Sequence, residues 1–326
     1  DDGPPPNFSG YQPLPIRYID VNNQLSNPQG YLLSQEMSIM EPLQNKLIIP
    51  SEDYEGDDYA VCNSSSCSGH AFIGIDRSSH IYAAAEYSGN LYLAGSDGVA
   101  CDATVWQSIN GGDSWSVNRT MSKSNNYLGC ARFTLLAVYN NKLYAQGYQY
   151  DWSLKGQSPC FPLPSVSSCN PDPASATCNF VSVPQVHILD GNTWSTSNDL
   201  IINSVQKKPN GKSFVGKLVF VESGVLKSFD TNSVLTLINN VRDYTISEGW
   251  LYVLKTSGHV VRTSNLTSWY QVDTGPSNSK SIAVLNKFIY IGTSQGQVYK
   301  SDELQPCGAD CTESLPAILL LLFDQE

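Results

Sequence analysis

Side chains able to do chemistry are sparse in this chain, and its nine cysteines are the most telling of them. Cys62 and Cys67 sit five apart in a Ser-rich stretch, and Cys307 and Cys311 four apart near the end. Cys101 and Cys130 flank one unit of the chain, while Cys160, Cys169 and Cys178 share a single segment. A zinc site asks for CxxC knuckles or histidines at matching spacing, and neither occurs. Close cysteine pairs therefore predict disulfides made in an oxidising compartment. The odd count leaves one thiol free or bonded to another subunit, and Cys160, Cys169 or Cys178 is expected to supply it. The sequons Asn7, Asn63, Asn118 and Asn265, each Asn-x-Ser/Thr, point to the same compartment as glycan acceptors.

Catalytic arrangements are harder to find. Glu52, Asp53, Glu55, Asp57 and Asp58 could hold a carboxylate pair, but they crowd one short acidic stretch, whereas an acid and a base need separate environments. A solvated loop is the better reading, and no calcium-ligand spacing is recognisable in it. The four histidines, His70, His80, His187 and His259, show no His-x-His or His-Glu-x-x-His spacing and read as packing or surface residues. Ser96-Asp97-Gly98 and Ser294-Gln295-Gly296 are turn sequences rather than nucleophile elbows. No catalytic residue, cofactor or metal is expected.

Composition narrows the partners. A net charge of −11, with no Lys/Arg run, argues against nucleic acid. The one strongly apolar run, Ala317 to Phe323, is too short to span a bilayer, so no membrane span is expected. With no Met at the start and no signal sequence, the chain reads as a processed, secreted glycoprotein of the extracellular surface.

The elements that must position these residues announce themselves by repetition. Asn45-Lys46-Leu47-Ile48, Gly89-Asn90-Leu91-Tyr92, Asn141-Lys142-Leu143-Tyr144, Gly216-Lys217-Leu218-Val219, Gly249-Trp250-Leu251-Tyr252 and Asn286-Lys287-Phe288-Ile289-Tyr290 are variants of one phrase, a polar turn entering an apolar strand. A second phrase follows most of them: Val105-Trp106-Gln107-Ser108, Val225-Leu226-Lys227-Ser228, Val260-Val261-Arg262-Thr263 and Val298-Tyr299-Lys300-Ser301. Positions 47, 91, 143, 218, 251 and 289 would each begin the second strand of a four-stranded antiparallel sheet, and the second phrase would be its third strand. Their spacings of 44, 52, 75, 33 and 38 residues average close to one blade of a β-propeller. Apolar residues on both faces of such strands suit sheets sandwiched between neighbours. A pair of β-sandwiches is the alternative, and six near-equivalent units favour the propeller.

The predicted fold is thus all-β, a propeller of six four-stranded blades, with five or seven blades as the alternatives. Residues 1–30, rich in Pro, Asn and Gln, form an extended N-terminal arm. The propeller occupies 31–302, with a Cys- and Pro-rich insertion at about 151–182 that accounts for the longest spacing. Residues 303–326 form a C-terminal extension with a disulfide loop and an apolar strand. The last blade needs a closing strand, which Leu14 to Val21 or Ala317 to Phe323 could supply.

One motif carries a family resemblance. Ser108-Ile109-Asn110-Gly111-Gly112-Asp113-Ser114-Trp115 resembles the Asp-box, Ser-x-Asp-x-Gly-x-Thr-Trp, of sialidase-like propellers. An amide or acid folds back onto turn amides, Gly112 supplies the positive φ, and Trp115 packs between strands. Asn110 stands where the box has Asp. Weaker echoes occur at Asp190-Gly191-Asn192-Thr193-Trp194 and Ser264-Asn265-Leu266-Thr267-Ser268-Trp269. The resemblance implies a fold and not an activity, since these boxes lie at the propeller periphery. Sialidases hold the substrate carboxylate with three arginines beside a Tyr/Glu nucleophile and an Asp acid/base. The arginines here are Arg17, Arg77, Arg119, Arg132, Arg242 and Arg262, and Pro15-Ile16-Arg17 reverses the family's Arg-Ile-Pro order. Arg119 and Arg262 have the better structural reading, so sialidase chemistry is not expected.

What remains points to assembly. The odd cysteine, the arm and the apolar run with Ile318, Leu320 and Leu322 all lie outside the repeats or within the insertion. The expected role is structural or adhesive, the expected partner a second copy of this chain within a filament or matrix. The alternative is a carbohydrate-binding, lectin-like or glycosidase-related propeller, with glycans as partners.

Overall fold

In the computed structural model every described element is a β-strand. The structure describes residues 40–50, 58–62, 67–71, 74–75, 79–98, 100–122, 130–154, 178–197, 211–230, 233–294 and 298–304, with short backbone segments at 12–13, 16–19 and 25–26. Three short strands come first: β1 (Gln12–Pro13), β2 (Ile16–Ile19) and β3 (Leu25–Ser26). The first sheet is built from β4 (Glu41–Leu43), β5 (Lys46–Pro50), β6 (Asp58–Cys62) and β7 (Cys67–Ala71), the second from β8 (His80–Tyr87), β9 (Asn90–Ser96), β10 (Ala103–Ser108) and β11 (Ser116–Met121). The third holds β12 (Cys130–Tyr139), β13 (Lys142–Leu154), β14 (Cys178–Asp190) and β15 (Thr193–Ser197), the fourth β16 (Gly211–Phe214), β17 (Lys217–Glu222), β18 (Val225–Phe229) and β19 (Val234–Ile238), and a short parallel pairing of β12 with β16 (Ala137↔Gly211, Val138↔Lys212) makes the strand order of these two sets continuous. The fifth runs through β20 (Val241–Ser247), β21 (Trp250–Lys255), β22 (His259–Thr263) and β23 (Tyr270–Thr274), the sixth through β24 (Ser279–Leu285), β25 (Phe288–Thr293) and β26 (Val298–Glu303).

All six repeat phrases open second strands, β5, β9, β13, β17, β21 and β25. The physical reason lies in the turn before each. Both central residues of every one of these turns have positive φ, for example Asn140 (φ 49) with Asn141 (φ 57) and Val215 (φ 44) with Gly216 (φ 76). Such two-residue turns match the right-handed twist of the strands they join, and Asn or Gly tolerates the left-handed backbone best. The residue one place into the strand then points into the core. Leu47, Leu91, Leu143, Leu218, Leu251 and Ile289 are each at most 1% exposed.

The chain divides into two compact units, one of residues 1–50, 59–71 and 214–326, the other of 51–58 and 72–213. The second unit holds the second and third sheets around a shared apolar core that includes Tyr92, Phe133, Leu136 and Leu143. In the first unit the fourth and fifth sheets pack through Phe214, Val219, Val253 and Trp269, and the fifth and sixth through Tyr252, Leu254, Ile282 and Ile289. The sixth sheet also packs on the first, through Tyr290 and Ala283 against Leu47 and Ile49.

Three expectations need correction. Residues 1–30 are not simply an arm outside the sheets, because β1 is antiparallel to β26 (Gln12↔Lys300, Pro13↔Tyr299) and β2 is parallel to β7 (Ile16↔Cys67 through Tyr18↔Gly69). The fourth strand of the sixth sheet is therefore Gln12–Pro13, just ahead of the expected Leu14–Val21 segment, of which Ile16–Ile19 joins the first sheet instead. Pro13 lacks an N–H, and an end strand is where a sheet tolerates that loss. The insertion at 151–182 is in part strand: β13 and β14 stay paired from Leu143↔Leu189 out to Leu154↔Cys178. Residues 155–177, with Cys160 and Cys169, lie outside the described residues, as do the terminal Cys307, Cys311, Ile318, Leu320 and Leu322.

Candidate functional site

The hairpin at 108–115 joins β10 to β11 as its residue types demand. Ser108 Oγ donates to Asn110 Oδ1 (2.8 Å) and accepts from Gly112 N (2.9 Å), and Ser114 N donates to Asn110 Oδ1 (3.0 Å). Asn110 also donates its Nδ2 to Ser114 Oγ (2.9 Å), a bond that Asp could not make. Trp115 is buried, and a Cβ on Gly74 would lie 2.1 Å from the Trp115 carbonyl, so the loop there packs backbone on backbone. A similarly bonded turn closes β22 to β23, one residue shorter and begun by Thr263 rather than Ser264. Thr263 Oγ1 accepts from Leu266 N (3.0 Å), and Asn265 Oδ1 accepts from Thr267 N (2.9 Å) and Ser268 N (2.8 Å). Leu266 takes the positive φ (64°), and Trp269 is buried. The echo at 190–194 is different: Gly191 and Asn192 form a tight hairpin between β14 and β15, and Trp194 is only half-buried.

That half-buried Trp194 belongs to a polar seam between the second and third sheets. Its Nε1 donates to Asn118 Oδ1 (2.7 Å); Asn118 Nδ2 donates to Gln107 Oε1 (2.8 Å), and Gln107 Nε2 to Tyr92 OH (3.0 Å). The Arg119 guanidinium lies 5.9 Å from the Trp194 ring centroid. Arg119 Nε donates to His187 Nδ1 (2.8 Å), and the imidazole meets Phe133 edge to face at 5.0 Å. With Nδ1 taken as acceptor, His187 carries its proton on Nε2 and aims it at Gln185 Oε1 (3.4 Å). Burial, and then the positive charge of Arg119, push the His187 pKa down from 6.5 to about 4, so the imidazole is neutral near pH 7.

Alternation along the strands builds this seam. Arg119 pairs with Val105 and His187 with Ala145 and Thr196. Each therefore sits within a sheet, with its side chain on the face turned to the neighbouring sheet. Nothing local in the sequence signals the pairing, since Arg119 and His187 lie 68 positions apart. Arg119 reads as part of a sequon and Trp194 as part of a box.

The other sequence candidates fall as follows. Cys101 is disulfide-bonded and buried, in a loop where Ala131 N, next to Cys130, donates to Cys101 O (2.8 Å). Cys62 ends β6, Cys67 begins β7 and Cys178 begins β14. Asn265 is exposed, whereas the Asn118 amide is committed at both ends; Asn7 and Asn63 lie outside the described residues. The acidic stretch 52–57 also lies outside them. Among the described residues no three His, Cys, Asp or Glu gather as a metal site, and no helix is long and apolar enough to cross a membrane.

No protein-family model matches the chain, and no curated protein matches its sequence. Solved structures do. An α-L-arabinanase of Penicillium chrysogenum, in complex with arabinobiose, is similar with a TM-score of 0.53 at 12% identity, over 95% of this chain and 100% of that one. A virginiamycin B lyase from Staphylococcus aureus gives 0.46 at 10% identity over 86% and 85% of the two chains. The WD40 β-propeller domain of Doa1 gives 0.45 at 13% identity over 87% and 99%. The fold is an all-β β-propeller, and identities this low carry the fold alone.

Proposed function

We propose that this chain is a non-catalytic, secreted β-propeller glycoprotein with a structural or adhesive role, assembling with copies of itself through its terminal segments into a filament or matrix. The observation that supports this most is the use of the N-terminal arm as sheet strand. β1 completes the edge of β26 with two residue pairs, and β2 adds to β7 with three. A sheet edge completed by so short a strand accepts the same strand from a neighbour with the same hydrogen bonds. β19 is a second edge of this kind. It ends its sheet as Val234-Leu235-Thr236-Leu237-Ile238, without charge or proline, and Val234 and Leu235 are 52% and 48% exposed. Soluble monomers usually guard such an edge. The run holding Ile318, Leu320 and Leu322 is the proposed second contact.

The disulfide at Cys101 supports an oxidising compartment, and the exposed Asn265 supports glycosylation. Asn7 and Asn63 remain proposed acceptors, and a sialidase-type box remains a proposed kinship for residues 108–115. Light scattering and electron microscopy of the full, non-reduced chain as secreted test the assembly. Species that grow with concentration into rods or sheets are expected. A monodisperse monomer at every concentration overturns the proposal.

A further inference from the structure

We propose that the seam between the second and third sheets is a binding site for a carboxylated sugar, a hexuronate unit of a glycan, with Arg119 holding the carboxylate and Trp194 the face of the ring. The inference goes beyond self-assembly and stands on unit-internal geometry alone. Arg119 is half-buried, held at Nε by His187, with its guanidinium carbon 5.9 Å from the Trp194 ring centroid. Among the described residues nothing accepts a hydrogen bond from its two terminal nitrogens. The chain has 30 acidic against 19 basic residues, yet among the described residues no carboxylate answers this guanidinium. A planar fork held at Nε and open at its terminal pair fits a carboxylate with two parallel N–H···O bonds. Because its orientation is set beforehand, little is lost in ordering it on binding.

The neighbours fit the rest of such a ligand. Trp194 is half-buried, and its indole is locked by the bond from Nε1 to Asn118, which leaves part of a fixed aromatic surface for the C–H face of a sugar. Gln185 is half-buried and uses its Oε1 toward His187, leaving its Nε2 as a donor for a ring hydroxyl. His187 is neutral and supplies the acceptor that aims Arg119 without adding charge, so one cation faces one carboxylate. Phosphorylated or sulfated ligands ask for more positive charge than this seam holds. Asn118 spends its amide on Gln107 and Trp194, which keeps a glycan of its own from covering the seam.

Calorimetric titration of the full chain with trigalacturonate, with neutral galactotriose and triglutamate as parallel arms, decides the matter. Saturable binding of trigalacturonate is expected, with an affinity weakened at least about tenfold by Arg119→Gln and by Trp194→Ala, as for a lost charge-assisted pair or stacking face. Arg119→Lys should also lose most of the affinity, because a point charge cannot reproduce the fork. Gln185→Ala, which removes the acceptor facing His187 Nε2, should weaken binding a few-fold at a stability cost of no more than about 1 kcal/mol, and it serves if the other variants fold poorly. No saturation, unchanged affinity in Arg119→Gln or, where that variant does not fold, in Gln185→Ala, or equal binding of galactotriose overturns the site. Equal binding of triglutamate overturns the sugar and leaves an acidic-peptide site.

Discussion

Each compact unit lays an arginine against a tryptophan, and the two arrangements put it to opposite use. Arg262 sits in β22, the third strand of its sheet, 4.4 Å from the Trp250 centroid and 6.0 Å from that of Tyr252, with only 6% of its surface exposed. Trp250 in turn meets Tyr270 edge to face at 6.2 Å. Arg119 sits in β11, the end strand of its sheet, and is half-buried beside a half-buried Trp194. One strand of displacement toward the sheet edge turns a buried cation against Trp250 and Tyr252 into a half-buried one beside Trp194. Strand position, more than residue type, decides whether such a pair belongs to stability or to recognition.

The sharpest way to break this comparison is to truncate both arginines. Arg262→Ala should cost about 2–4 kcal/mol in chemical denaturation, since it removes a buried stem and a desolvated cation–π contact together. Arg119→Gln should cost about 1 kcal/mol, for the buried His187 Nδ1 left without its donor. If the two losses are equal, Arg119 is as structural as Arg262, and the distinction fails.

Acid sharpens it next. His187 is 3% exposed, its folded pKa lies near 4 against 6.5 for the free group, and among the described residues Arg119 is the charged group bonded to it, with Phe133 and Gln185 also against the ring. Between these values the unfolded chain binds a proton that the folded chain refuses. Stability is therefore full above pH 6.5, falls as pH drops toward 4, and loses nothing further from this group below that. The loss amounts to no more than about 3 kcal/mol. His187→Gln should flatten that segment of the pH–stability curve. Arg119→Gln should narrow it only in part, because burial is the larger cause of the depression. An unchanged curve in His187→Gln would show that the imidazole does not control this window.

The fold was legible in the sequence because a type of turn repeats. The paired positive-φ residues at 140–141 and 286–287, and the buried leucine or isoleucine that follows, recur in every sheet, so local chemistry announces each second strand. The strand hydroxyl at Ser108 was legible for the same reason, as it bonds the turn it precedes. Thr263 does the same in the shorter turn and was not legible, because one residue fewer moved the apparent start to Ser264. The seam was not legible at all. Asn118, Arg119, His187 and Trp194 are brought together by packing of two sheets, and no spacing rule links residues whose contact depends on which faces meet. The arm was misjudged because a two-residue strand such as Gln12–Pro13 has no periodicity to detect.

Glycan mapping tests the seam from another side. Asn265 is exposed, with only its Oδ1 folded into the turn, and is expected to carry glycan; Asn118 is expected to be bare, because a glycan on Nδ2 displaces Gln107. Peptide mass mapping of the secreted chain reads both. In the same network Asn118→Ala should cost about 1 kcal/mol, with Trp194 Nε1 and Gln107 losing their partner. A glycosylated Asn118 in folded protein would mean the seam is covered, and recognition by Arg119 would fall with it.

The smallest expected effect supplies the baseline for all the others. Val215 precedes Gly216 in the turn between β16 and β17 at φ 44, with its side chain 55% exposed. A β-branched residue is strained in the left-handed region, and its exposed methyls gain nothing in return. The equivalent turn between β12 and β13 uses Asn140 at φ 49, which accepts that backbone readily. Val215→Asn should therefore stabilise the chain by about 0.5–1 kcal/mol, read as a shift in denaturation midpoint at constant slope. It touches neither arginine, so its gain should add to the losses of Arg119→Gln and Arg262→Ala within about 0.5 kcal/mol. Non-additivity with either one would mean that the arginine acts through the fold at large, and that the contrast between a stapling cation and a presenting one has been drawn too locally.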